Sequence, residues 1–235
     1  MKDLTKGKPS RLILAFALPI FLANLLQLTY SLVDTRIVGS FLGEDALAAV
    51  GATSSLSNLI IGFLMGLSNG FAIITAQRFG AKDLRGVKKS FAMSLTLGIA
   101  VAAGLTVLGL LFLQPILRFL NVPENLRTMA GSYIVIIIAG LIATFLYDAC
   151  AAALRALGDT ITPLVILAIS VILNIAGDLF FVVVLKTGVR GAAVATVSAQ
   201  SHRSNKSHCL LPRFPCFDPL QLCKRSSVRL RDQSS

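Results

Sequence analysis

The sequence predicts an all-α fold, a polytopic bundle of helices that crosses a membrane several times. Composition is the first reason: 55% of the 235 residues are hydrophobic, 14% are charged, and the mean hydropathy is +0.78. Soluble domains carry about 25% charged residues, so the composition argues against a soluble globule. The second reason is that uncharged runs of membrane-spanning length recur along the chain, and the third is that the connecting loops are alternately rich and poor in basic residues.

Five uncharged runs are long enough to cross a bilayer, because about 20 helical residues span a hydrocarbon core about 30 Å thick. The runs cover residues 12–33, 46–77, 90–115, 128–147 with an extension past Asp148 to 154, and 160–177 with an extension past Asp178 to 185. A sixth apolar run covers residues 189–200 and gives only ~18 Å of helix before it becomes polar at Ser201. The sequence therefore predicts five full transmembrane helices and a truncated sixth, in one bundle over residues 12–200.

Both ends of the chain differ from this bundle. Residues 1–11 are predicted to form a cytoplasmic segment, and the run that follows is too long for the apolar core of a cleavable signal peptide. Residues 201–235 lose the hydrophobic periodicity and hold seven Lys and Arg against two Asp. We expect this basic tail to be disordered or to be an out-of-frame product. The alternative is a module that binds anionic lipid or metal, but Cys209, Cys216 and Cys223 are not spaced like zinc ligands.

The net charge of +11 is best explained by membrane topology. A nucleic-acid partner is not expected, because no basic helix or mixed basic and aromatic surface accompanies the charge. Ten Lys and Arg collect in the loops on the side of the N-terminus, against five on the other side. Positively charged short loops stay in the cytoplasm. The sequence thus predicts a multi-pass protein of the inner cell membrane, surrounded by membrane lipid, with a cytoplasmic N-terminus.

The first predicted span carries a polar stripe. Gln27, Tyr30 and Asp34 are spaced i, i+3 and i+7, so they share one helix face. Pro19 removes a backbone hydrogen bond and permits a bend in the same helix. The simple alternative is that Asp34 only ends this helix at the membrane surface.

The fifth span carries the second carboxylate. Asn174 and Asp178 are one turn apart on one face. An ionised Asp at a helix centre costs about 2.5–3.5 kcal/mol on insertion scales, so it is retained mostly where it meets a cavity, a partner or an ion. Asp34, Asp178 and Thr196 all fall ~6–12 Å below the predicted outer boundary. We expect the three helices to meet in one polar pocket, unless Asp178 only caps a neighbouring backbone gap.

Two further features are interpreted as structural. Asp148 precedes the loop that carries Arg155, which favours an ion pair between them. Gly62, Gly66 and Gly70 form a ridge of small residues on the second span, and such a ridge usually packs against another helix of the same bundle.

Together these segments resemble the bacterial type of the MATE (multidrug and toxic compound extrusion) family over residues 10–200. The segments that carry the resemblance are PIFLANLLQLTYSLVDTRIVG at 19–39, LGEDALAAVG at 42–51, AQRFGA at 76–81, LRALGDTITP at 154–163, NIAGD at 174–178 and GAAVAT at 191–196.

The resemblance implies one lobe of an antiporter built from two six-helix lobes, which exports organic, often cationic drugs in exchange for Na⁺ or H⁺. It implies four ligands for the coupling cation, Na⁺ included: Asp34, Asn174, Asp178 and Thr196. Gln27 and Tyr30 match substrate-pocket positions, and Pro19 matches the bending proline. Because the second lobe does not appear in this sequence, the resemblance predicts a truncated copy that cannot transport without it.

Two alternatives stay open. A flippase for lipid-linked saccharides belongs to the same superfamily. An intramembrane aspartyl protease would use Asp148 and Asp159, but Ala156 stands where that motif has Gly. The sequence contains no P-loop, nucleotide fingerprint or zinc-protease motif, so we expect neither an enzyme nor a bound cofactor, and we expect an ion gradient to supply the energy.

Overall fold

A computed structural model describes the backbone of residues 9–210 and the side chains of residues 13–207, and every regular element in that part of the chain is helical. The α-helices are α1 (Pro9–Leu42), α2 (Glu44–Gly80), α3 (Leu84–Leu111), α4 (Leu113–Phe119), α5 (Glu124–Ala139), α6 (Leu141–Ala156), α7 (Ile161–Asp178) and α8 (Val189–Leu210). A π-helical segment, Leu179–Val184, continues α7. The predicted all-α class is confirmed.

Four helices are long and apolar enough to cross a membrane: Ile13–Leu42, Glu44–Gly80, Leu84–Leu111 and Ile161–Val184. Helices α5 and α6 are long and apolar enough to cross only when taken together, and they are bent by 44° relative to each other. The bend falls at Gly140, where an added Cβ would lie 2.7 Å from the Val197 side chain of α8. Counted this way, the described helices give four spans, or five with the bent pair, against the five predicted. Glycine at the bend lets α8 come close.

Helix boundaries differ from the sequence prediction in two places. Helix α1 continues to Leu42 instead of ending near residue 33, so Asp34 lies inside the helix and does not terminate it. The third span ends at Leu111, and Pro115 belongs to the short helix α4. The predicted third run was too long at its C-terminal end because its limits were set by charged residues. The turn between α3 and α4 contains no charged residue, so charge does not reveal it.

Helix α8 also runs further than the sequence indicates, through the predicted stop at Gln200 to Leu210. Contacts with the neighbouring helices stabilise α8 at Gln200 and beyond it. The Thr144 hydroxyl of α6 donates to Oε1 of Gln200 at 2.7 Å, and Ser204 and Ser207 beyond it are buried. Residues 201–210 are thus helical where a disordered tail was one expectation, and the alternative of an out-of-frame product stays a prediction. Residues 1–8 and 211–235 lie outside the described residues, and the predictions for them stay predictions.

A buried apolar cluster joins α2, α3, α5 and α6, and Phe145 of α6 lies at its centre with no exposed surface. Gly98 of α3 faces the Phe145 ring so closely that an added Cβ would overlap the ring. Helix α8 packs against α5, α6 and α7, and α1 packs mainly against α7. This arrangement brings α1, α7 and α8 together on one side of the bundle.

The glycine ridge of α2 does not pack within the bundle as predicted. Gly62, Gly66 and Gly70 are exposed, and a Cβ at any of them would meet nothing within 4 Å in the described part of the chain. Large apolar side chains elsewhere on the surface, such as Leu14 and Leu59, suit a surface covered by lipid. The ridge is a smooth, uncovered strip on the outside of this bundle.

We expect Gly98→Ala to lower the free energy of unfolding by about 1–3 kcal/mol, because the new methyl group forces the Phe145 ring out of a packed position. Gly104→Ala, on the same helix with no atom within 4 Å, is the matched control and should be neutral or slightly stabilising. Thermal unfolding in detergent measures both. Equal stability of the two variants would contradict the packing described for α3 and α6.

Candidate functional site

Polar side chains from α1, α7 and α8 meet in one cluster. Helix α1 supplies Tyr30 and Asp34, α7 supplies Asn174 and Asp178, and α8 supplies Thr196. The Tyr30 hydroxyl lies 3.3 Å from Oγ1 of Thr196, and this hydrogen bond joins residues that are 166 positions apart. The structure thus brings together all four predicted cation ligands and one of the two predicted substrate-pocket residues.

Asn174 connects α7 to α8 and orients Asp178. With its amide oriented so that each atom faces a suitable partner, the nitrogen donates to Oδ2 of Asp178 at 2.9 Å and the oxygen accepts from the backbone N–H of Thr196 at 3.2 Å. Asn174 is 1% exposed and Asp178 is fully buried. The i, i+4 spacing on α7 makes this possible, because it places both side chains on the same face.

The two carboxyl groups are the chemically active part of the cluster. Asp34 and Asp178 lie within hydrogen-bonding reach of each other. One oxygen of each, Oδ1, is buried with no hydrogen-bond partner in the structure. Two ionised carboxylates at this separation repel each other strongly in a medium of low dielectric constant. A proton shared between them, or a small cation between them, removes that repulsion.

The donor set fits a hard monovalent cation such as Na⁺. Carboxylate and hydroxyl oxygens are the ligands that hard cations prefer, and the unpartnered Oδ1 atoms of Asp34 and Asp178 are free to accept one. Thr196 Oγ1 and the Tyr30 hydroxyl stand beside them. The Asn174 oxygen is already engaged by the Thr196 N–H, so Asn174 acts here by holding Asp178 and α8 in place.

Sequence reasoning missed Tyr133 of α5. This side chain is 8% exposed and interacts electrostatically with Asp34, Tyr30 and Asp178. Its hydroxyl is a further polar group at the pocket, contributed by a fourth helix. The available signal was a single tyrosine in an otherwise apolar run, Tyr133-Ile-Val-Ile-Ile-Ile, where a polar atom needs a partner.

Gln27 and Pro19 lie outside the cluster. Gln27 is exposed on α1, one turn before Tyr30. Pro19 stands further back along the same helix, which continues through it without a break. Their predicted roles in substrate contact and bending stay predictions.

The backbone changes form immediately after Asp178. The π-helical segment Leu179–Val184 follows it, with the Leu185 N–H donating to the Phe180 carbonyl at 2.9 Å. Three consecutive valines crowd a regular α-helical turn, and π-helical turns are frequently found at functional sites. A single sequence gives no direct signal for such a turn.

The remaining acidic residues have other surroundings. The predicted ion pair between Asp148 and Arg155 does not form within 4 Å; the Arg155 guanidinium instead donates to Oδ1 of Asn69 at 3.3 Å. Asp159 caps the start of α7, since its Oδ1 accepts from the N–H groups of Ile161 and Thr162 at 3.1 and 3.0 Å. A capping carboxylate of this kind explains Asp159 without catalysis.

Comparison with known proteins adds a family context to this geometry. A sequence model described as MatE matches residues 19–180. The chain is 31% identical over 198 residues to "Probable multidrug resistance protein YpnP" of Bacillus subtilis and 36% identical over 200 residues to "Probable multidrug resistance protein YoeA" of the same organism. These matches cover 84% and 82% of this chain.

Solved structures of MATE proteins are similar to this chain as well. The crystal structure of MATE in the bent conformation superimposes with a TM-score of 0.82 at 27% sequence identity, over 87% of this chain. The chain spans only part of these proteins: 44% of YpnP, 43% of YoeA and 46% of the crystallised chain. What is similar is therefore less than half of each relative.

We expect Asn174→Leu, which roughly keeps the side-chain volume, to lower the free energy of unfolding by about 1–3 kcal/mol. The reason is that Oδ2 of Asp178 and the backbone N–H of Thr196 both lose the amide group that bridges them. Asn24→Leu, at an exposed position of α1, is the matched control and should have little effect. Thermal unfolding in detergent, together with hydrogen exchange of α8 near Thr196, measures the difference. Unchanged exchange in α8 would show that Asn174 does not join the two helices.

Proposed function

The chain belongs to the MatE family, and from that membership we propose that it forms the cation-binding lobe of an antiporter that exports organic compounds. The observation that carries the proposal is the contact between Asp34 and Asp178, each with an unpartnered buried Oδ1. The family consists of membrane transporters, so the chain is not an enzyme and the protease alternative is discarded. The flippase alternative is not favoured, because transport of a saccharide does not require a pair of acids held in this way.

In this proposal Asp34, Asp178 and Thr196 bind the coupling cation, Na⁺ or H⁺. Asn174 holds Asp178 and Thr196 in register, and Tyr30 links α1 to Thr196. No other cofactor is needed, because the ion gradient supplies the energy.

Cation occupancy changes the force on α1. Without a cation, two negative charges push α1 away from α7, and the 3.3 Å contact between Tyr30 and Thr196 resists that push. With a cation, the repulsion becomes attraction and α1 is held against α7 and α8. Helix α1 is the element most free to respond, because the rest of its surface is largely exposed. Pro19 is the position at which we expect it to bend.

Substrate contact is proposed for the side of α1 next to this pocket, through Gln27 and Tyr30. The substrates would be organic compounds, often cationic, because a pair of acids attracts positive charge and an organic cation would compete with the coupling ion for it. Since the chain covers less than half of its relatives, we propose that transport requires a second lobe equivalent to the remainder of those proteins.

Cation binding is testable on the chain itself. We expect purified protein in detergent to bind ²²Na⁺, or to take up protons on acidification, and we expect Asp34→Asn and Asp178→Asn each to weaken that binding by at least tenfold, because one negative charge is lost. Asp45→Asn, at an exposed position in the first turn of α2, is the control and should bind as the wild type does. If both pocket variants bind Na⁺ and protons normally, the proposed function is wrong.

We propose that the protein lies in the inner cell membrane with a cytoplasmic N-terminus. In a background with the native cysteines replaced, Lys82→Cys in the turn between α2 and α3 should react only with reagents that reach the cytoplasm. Asn121→Cys, in the turn between α4 and α5, should react from outside intact cells with a membrane-impermeant maleimide. The opposite labelling pattern would reverse the proposed orientation.

A further inference from the structure

A buried arginine lies deeper in the same bundle. Arg203 stands on α8 in the polar stretch that follows Gln200, and it is only 5% exposed. A guanidinium keeps its charge in proteins. The lobe therefore contains a permanent positive charge in its interior, at a residue outside the segment matched by the MatE family model.

Its surroundings compensate the charge only in part. The guanidinium carbon lies 5.2 Å from the centroid of the Tyr147 ring, a distance at which a cation is attracted to the ring face. Nε is buried without a hydrogen-bond partner. Asp148 is close enough to interact electrostatically with both Arg203 and Arg155, but no carboxylate in the described part of the chain lies within 4 Å of Arg203. Two arginines therefore share one nearby acid.

The position of Arg203 relates it to the cation pocket. Thr196 and Arg203 are seven residues apart on α8, which places them on nearly the same face and ~10 Å apart along the axis. Tyr30 interacts electrostatically with Asp34, Asp178 and Arg203. The arginine thus lies about two turns beyond the pocket, in the direction a cation would take if it moved further into the lobe.

We propose that the fixed positive charge of Arg203 lowers the affinity of the Asp34 and Asp178 pair for a cation. The negative charge of Asp148 reduces that effect. The inference deepens the proposed function and depends on it. A weaker site is useful in an exchanger, because a bound cation has to leave again when substrate arrives. A charge behind the pocket also keeps the cation from moving inward through the lobe.

The size of the effect follows from Coulomb's law. If the charges are separated by the spacing of Thr196 and Arg203 along α8, ~10 Å, two unit charges at an effective dielectric constant of about 20 interact strongly enough to change a binding constant about tenfold. Arg203→Gln should therefore tighten Na⁺ binding about tenfold. Asp148→Asn should weaken it by several-fold, because Arg203 and Arg155 lose their shared acid.

The test is a set of three variants of the full chain in detergent, with ²²Na⁺ as the probe and the dissociation constant as the readout. Arg203→Lys is the matched control: it keeps the charge but changes the contact with Tyr147, so its Na⁺ affinity should stay close to that of the wild type. Loss of folding cannot imitate the expected result, since damage weakens binding in every variant, whereas here one substitution tightens it and another weakens it. Melting temperatures of all variants confirm that the comparison is made on folded protein.

Equal Na⁺ affinity of the wild type and Arg203→Gln, or equal tightening by Arg203→Lys and Arg203→Gln, would overturn the inference. So would the absence of measurable Na⁺ binding in both the wild type and Arg203→Gln. None of these results removes the proposed function, which fails only if Asp34→Asn and Asp178→Asn leave both Na⁺ and proton binding unchanged.

Discussion

The close approach of the Asp34 and Asp178 carboxyl groups is the constraint around which α1, α7 and α8 are arranged. Each carboxylate is on a helix of high hydropathy, and neither has an ion pair within 4 Å in the described part of the chain. Burying such a pair is unfavourable unless its remaining oxygens find a positive partner. The neighbouring polar contacts satisfy Oδ2 of Asp178 but leave one oxygen of each acid unpartnered. These two oxygens are the feature from which the proposed cation site is inferred.

Helix α8 gives the lobe an internal polarity. Thr196 faces the acidic pocket, Gln200 is tied to Thr144 of α6, and Arg203 stacks on Tyr147. A single helix face therefore passes from negative surroundings to positive ones over ~10 Å. The segment that creates the positive end has the composition of a tail, yet Arg203, Ser204 and Ser207 in it are buried. Helix α8 also contributes Val189, Ala192 and Ala193 to an apolar cluster, so its first turns are apolar and its later turns are polar.

The outer surface divides into two kinds. Much of it is large and apolar, which suits contact with lipid chains. The strip along α2 is different, because Gly62, Gly66 and Gly70 leave a smooth groove with nothing packed in it. In membranes, small residues at this spacing allow helices to approach closely. In the described part of the chain nothing covers this strip.

The all-α class and the spans were predictable because hydropathy and helix length act locally: a run of about 20 apolar residues is a membrane helix wherever it occurs. The i, i+4 spacing on α7 and the polar face of α1 were predictable for the same reason. Convergence of Asp34, Asp178 and Thr196 was an inference from depth, and only tertiary packing put their side chains in contact.

Other features required the folded chain. The surroundings of Tyr133 and Arg203 depend on helices far apart in sequence, and no periodicity records such contacts. Similarly, the continuation of α8 past Gln200 and the open glycine ridge depend on what the neighbouring helices bury. The sequence determined which segments cross the membrane and which faces are polar, since both are properties of one helix. The fold alone decided which polar groups share a site, because that depends on where several helices meet.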